Sequence, residues 1–113
     1  MTIIYKILPA SLWQDAQKAS VFKGSEVDLK DGYIHFSTTQ QAVETAAKHF
    51  AGQSDLVLLH VDADILGEAL KWEPSRGGAL FPHLYDNLHI KHVMRVDPLP
   101  LDRDGRHIFP NLV

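Results

Sequence analysis

The chain has 113 residues, 45% hydrophobic and 22% charged, which is ordinary globular composition, and residues 1–113 read as a single domain with enough length to bury a core. It contains no cysteine, which excludes a disulfide scaffold, a thiolate zinc site and a cysteine nucleophile. A net charge of −3 argues against a broad nucleic-acid surface. The apolar runs are too short to span a bilayer and the start lacks a signal-peptide pattern, so a cytoplasmic, non-membrane protein is expected.

Residues 2–8 are rich in β-branched and aromatic side chains and precede Pro9, which predicts a first strand. Ser11-Leu12-Trp13-Gln14 has capping-box spacing. The helix it predicts runs to about Ala19, with Leu12, Ala16 and Ala19 inward and Trp13 beside them. Asp31-Gly32 is a turn signal, and residues 33–37 read as a short strand. Thr38 through Gln41 repeats the capping-box spacing, and Ala42, Val43, Ala46, Ala47 and Phe50 form a helical stripe that Gly52 can end.

The apolar run 56–61 suits a central strand covered on both faces. A turn over 62–67 and a strand over 69–73 follow. Pro74-Ser75-Arg76-Gly77-Gly78 reads as a loop, 79–85 as a short segment interrupted by Pro82, and 90–96 as a strand. The tail 97–113 is expected to wrap the surface, and Trp13 and Trp72 to lie in the core. Two short helices in the N-terminal half and strands after them give an α+β fold class.

Two blocks carry candidate chemistry. In His35-Phe36-Ser37-Thr38, strand alternation places His35 and Ser37 on one face, and Ser37 and Thr38 open the second predicted helix. Free N–H groups there favour an anion, so this segment suits a phosphate or a ribose hydroxyl. The plainer reading makes Thr38 a helix cap and His35 a satisfied, partly buried histidine. In the block from Glu73 to Tyr85, Gly77 and Gly78 allow close backbone approach and Arg76 offers a planar fork for phosphate. His83 and Tyr85 have period-two spacing and share a side. The plainer reading is an ordinary turn, with Arg76 paired to an acid and Tyr85 over the core.

No metal site is read: His89-x-x-His92 is a poor ligand pair on a strand, and His60 sits structurally in an apolar run. No P-loop, dinucleotide fingerprint or serine elbow is present.

Four segments together resemble a small bacterial family of unknown function over nearly the full length. They are Ile4-Tyr5-Lys6-Ile7-Leu8, Asp31-Gly32-Tyr33-Ile34-His35-Phe36-Ser37-Thr38, the block from Trp72 to Tyr85, and Gly105-Arg106-His107-Ile108-Phe109-Pro110. That family is similar to a compact ADP-ribosyltransferase fold, a split, mostly antiparallel β structure with NAD or a related phosphorylated ligand in a central cleft. His35-Phe36-Ser37 resembles the histidine–apolar–serine motif of the RNA 2′-phosphotransferase branch. Tyr5-Lys6 stands where transferases carry a histidine followed by small residues, residues 90–96 hold no acid, and Glu73 comes earlier in the chain than the transferases' glutamate.

The resemblance implies a small, nucleotide-like phosphate ester or NAD as ligand. His35 and Glu73 are the candidate catalytic residues; Ser37, Thr38, Arg76, Gly77, Gly78, His83 and Tyr85 are the candidate binding residues. The alternative is a non-catalytic binding or interaction module on the same fold.

Overall fold

A computed structural model describes residues 1–112 and, at Arg76, the backbone alone. The architecture is α+β with antiparallel sheets. Strand β1 (Ile3–Pro9) pairs along its length with β4 (Leu56–Asp62), which takes β8 (Val93–Pro98) on its other edge. A second sheet of three has the order β3 (Ile34–His35), β6 (Leu80–Leu84), β5 (Leu70–Pro74). The sheets meet where Tyr5 and Ser37 exchange backbone hydrogen bonds, each N–H donating to the other's carbonyl at 2.8 Å. Strands β2 (Val21–Phe22) and β7 (Leu88–His89) form a two-stranded ribbon.

Period-two alternation along β1 and β4 sorts the core into two clusters. Ile4 and Leu8 join Leu59 and Val61 on one face, packed with Trp13 and Ala16 of α1 (Ala10–Ala19), Phe22 and Ile34. Tyr5 and Ile7 join Leu56 and Leu58 on the other, under Ala42 and Ala46 of α3 (Ala42–His49) and Leu99. Apolar residues on both faces explain why β4 reads as a continuous hydrophobic run and lies centrally.

Several expectations change. A third helix, α2 (Glu26–Asp31), precedes the Asp31-Gly32 turn, and Gly32 caps its C-terminus at φ 88°. Helix α1 starts at Ala10 after Pro9, so Ser11 lies inside it and makes no capping box; Ala19 is exposed. In α3 only Ala42 and Ala46 are buried, because the helix covers the sheet through small residues while Val43 and Ala47 face out. Pro82 lies in the central strand of the second sheet: its carbonyl accepts from Phe36 N–H at 3.0 Å, on the side where β3 has already ended.

Trp72 is 41% exposed on edge strand β5, outside the core. The last strand starts at Val93, since Ile90–His92 forms a 3-10 turn after β7. The tail does more than wrap the surface, because Leu99 is fully buried and Phe109 and Leu112 pack on the second cluster. Among the described residues, no helix is long and apolar enough to cross a membrane.

Candidate functional site

The second sheet builds the site by register. His35 pairs directly with His83, which pairs with Lys71 on the far side. Residues two apart share a face, so Tyr33 and His35 from the β3 segment, Phe81, His83 and Tyr85 from the β6 segment and Glu73 from β5 converge. Tyr33 is the hub of this face. Its ring centroid lies 4.1 Å from that of His83, 4.6 Å from His35 and 5.2 Å from Tyr85, and the two histidine rings meet edge-on at 5.5 Å.

Each histidine is held at Nδ1 by a carboxylate. His35 Nδ1 lies 2.6 Å from Asp28 Oδ1 and His83 Nδ1 lies 2.9 Å from Glu73 Oε1. The Tyr85 hydroxyl donates to that same Glu73 oxygen at 2.7 Å. The hydrogen bonds from Tyr85 and His83 hold the Glu73 carboxyl below the usual range and keep it ionised at neutral pH. The Tyr85 hydroxyl is pushed up to about 12, chiefly by the Glu73 hydrogen bond. An ionised carboxylate only accepts, so His83 Nδ1 donates. Its Nε2 is then the ring atom available for other chemistry.

Asp28 comes from α2 and is 1% exposed. Besides His35 Nδ1, its carboxylate accepts from Lys6 Nζ, Ser25 N–H and His35 N–H. Burial alone would push the Asp28 carboxyl up. The His35 hydrogen bond and the Lys6 ammonium override burial and hold it well below the ordinary carboxylate range. Burial pushes the Lys6 ammonium down, opposed by Asp28. On the outer side, Asp31 Oδ2 lies 3.0 Å from His35 Nε2.

Of these groups, Lys6, Asp31, Tyr33, His35 and His83 line a cleft of about 860 Å³ whose walls come from β1, α2, α3 and the second sheet, whereas Asp28, Glu73 and Tyr85 hold those residues from outside its lining. That volume falls within the roughly 300–1,000 Å³ of small-molecule pockets. Tyr33, His35, Ser37 and His83 border it, with Lys6, Lys30 and Asp31, and Phe36 and Phe81 give it apolar wall.

The predicted residues divide. His35, His83, Glu73 and Tyr85 come together. Ser37 reaches the cleft but is buried, with its Oγ 2.9 Å from Thr45 Oγ1. Thr38 is not among the described cleft-lining residues; its N–H donates to Gln41 Oε1 at 3.0 Å. Thr38 stands at the turn that opens α3: its carbonyl accepts from Gln41 N–H and Ala42 N–H, and the bond its own N–H makes to Gln41 Oε1 is half of the expected capping box. Gly77 and Gly78 lie exposed in a 3-10 turn away from the cleft lining, at φ 69° and 80°. The Arg76 side chain lies outside the described residues.

Tyr85 is 47% exposed and does not cover the core; it borders a smaller recess shared with Tyr33 and Asp28. His60 Nε2 donates to Asp97 Oδ2 at 2.7 Å across β4 and β8, and His60 is not among the described cleft-lining residues. Among the described residues, no group of three or more histidine, aspartate or glutamate side chains is arranged to hold a metal ion.

Sequence reasoning missed Asp28 and Lys6 as site residues, and read Asp31 only as a turn. Ser25-Glu26-Val27-Asp28 has the capping-box pattern that announces α2 and was the available signal. No pattern marks a lone lysine within an apolar strand as the partner of a carboxylate 22 residues away.

No curated protein matches the chain. The crystal structure of protein CC0527 from Caulobacter crescentus is 56% identical with a TM-score of 0.92, covering 95% of this chain and 94% of that one. The solution NMR structure of CC0527 is 57% identical with a TM-score of 0.85, over 94% and 91%. A family model described as "Protein of unknown function (DUF952)" matches residues 7–96, a span that runs from within β1 through Asp28, His35, Glu73 and His83 into β8, and the chain belongs to that family.

Proposed function

We propose that the protein binds a nucleotide-like phosphate ester, NAD or a related nucleotide, in the cleft between its sheets, with His35 and His83 as the groups that meet ribose or phosphate. The observation that carries this reading is the pair of adjacent histidines, each fixed at Nδ1 by a carboxylate and bordering one cleft. A carboxylate on Nδ1 orients the ring and turns Nε2 outward, free among the described residues at His83 and held by Asp31 at His35, to donate to an oxyanion or to move a proton once a ligand displaces that contact. Tyr33 supplies an aromatic surface beside them. The split antiparallel arrangement with a central cleft supports the likeness to ADP-ribosyltransferases, and the His35-Phe36-Ser37 segment supports the 2′-phosphotransferase branch of it.

One observation favours the non-catalytic alternative. Glu73 Oε1 already accepts from both His83 and Tyr85, so this oxygen is committed to holding the site together. Turnover of NAD or of a 2′-phosphorylated nucleotide separates enzyme from binding module.

Thermal shift tests the binding itself. NAD, ADP-ribose or adenosine 2′-phosphate should raise the melting temperature, and adenosine much less. A ligand at ~100 times its dissociation constant adds about 2.7 kcal/mol of stability. Equal responses to adenosine and ADP-ribose, or none to either, reject phosphate recognition.

A further inference from the structure

His35 has two ring nitrogens, and α2 delivers a carboxylate to each. Asp28 and Asp31 are three residues apart, which puts both on one side of the helix. Their environments differ. Asp28 is buried with Lys6 and backbone donors around it, whereas Asp31 is 39% exposed at the cleft rim. Asp31 is also the last residue of α2, where helix carbonyls disfavour negative charge, so local helix stability does not account for an acid there. What the carboxylate does touch is His35 Nε2, at 3.0 Å, and that nitrogen is the one the proposed function assigns to a ligand.

We propose that Asp31 is a specificity-determining residue that competes with the anionic group of a ligand for His35 Nε2. When the ring carries its second proton, Nε2 has one N–H to give. An ionised Asp31 and a phosphate oxygen require that same hydrogen, and their like charges repel at this distance. A neutral ligand gains nothing by displacing Asp31. An anionic group binds at Nε2 only where its other contacts offset the loss of the Asp31 pair, so weak anions are turned away. Asp31 is half-exposed and its carboxylate is bonded separately from that of Asp28, which leaves its side chain room to swing aside.

The inference rests on the phosphate-binding reading, and the experiment keeps the two apart. Asp31→Asn removes the charge at nearly constant shape, and Asp31→Ser removes the reach as well. ADP-ribose and adenosine are titrated calorimetrically into wild type and both variants, with urea midpoints as the fold control. Loss of a like charge beside the site should tighten ADP-ribose by about five- to tenfold in both variants and leave adenosine unchanged. If wild type binds ADP-ribose and both variants bind it equally well or more weakly, Asp31 is not a competitor and the inference is overturned while the proposed function stands. If neither wild type nor variants bind ADP-ribose, the proposed function fails and this inference with it.

Discussion

At the residue scale, Asp28 organises the site. A carboxylate that is 1% exposed survives because it meets an ammonium, an imidazole and two backbone N–H groups. Removing the charge of Asp28 leaves Lys6 buried without a counter-ion, and breaking such a pair from one side costs about 3–5 kcal/mol. Asp28→Asn should therefore lower the urea-unfolding free energy by that amount at neutral pH. The pH dependence has a definite sign. The carboxyl of Asp28 is held below its unfolded value, so acid protonates the unfolded chain first. Its contribution is fully present above about pH 4 and is lost as pH falls through the folded value. Urea melts from about pH 6 to 3 should show a steeper acid loss in wild type than in Asp28→Asn. Parallel curves would mean Asp28 is not the group titrating. His35 shares in this network, so His35→Ala should cost about 1.5–3 kcal/mol of stability along with any ligand response. The sequence made His35 legible as a polar residue on a strand, but its structural half depends on Asp28, which only the fold brings near.

At the scale of elements, α2 is the part that mattered most and was hardest to read. Six residues are too few for a hydrophobic period, and Val27 and Leu29 are exposed, so no apolar stripe announces it. Longer elements such as α3 and β4 could be read because they repeat their pattern over several residues. Elements of two residues, such as β2 and β7, carry no period at all, and the shift of the last strand to Val93 follows from missing β7. What locates α2 is the backbone before it. Gly24 has φ +124°, and a Cβ there would stand 2.8 Å from Asp28 Cβ. The chain can pass this close to Asp28 only with glycine, and that passage brings Ser25 N–H onto the carboxylate. Gly24→Ala combines a disfavoured φ with a collision against a buried neighbour and should cost about 1–3 kcal/mol in urea melts. A neutral result would show that the segment before α2 relaxes freely.

At the scale of the molecule, the two faces of the first sheet serve different ends. The face bearing Ile4, Lys6 and Leu8 looks toward α1 and, through Lys6, toward Asp28; the face bearing Tyr5 and Ile7 packs on α3, Leu99 and the tail and meets the cleft from the α3 side. The α+β class was legible from the order of segments, and the antiparallel strands were implied by the family resemblance. Both polar blocks were expected at one cleft, but the register that joins them was not legible, because the pairing of His35 with His83 links segments 48 positions apart and no local pattern encodes it. The separation of faces has a measurable consequence. Ile7→Val deletes one methyl group from the second cluster and should cost about 0.5–1.5 kcal/mol. Gly24→Ala perturbs the other side of the sheet, through Asp28 and Lys6. Sites that share no contacts add to within about 0.5 kcal/mol, so the double variant should lose the sum of the two single losses. Urea midpoints for the four proteins close the cycle. A coupling well above that margin would show that strain at Asp28 passes through β1 to the α3 side, and the site and the second cluster would then have to be treated as one packed unit.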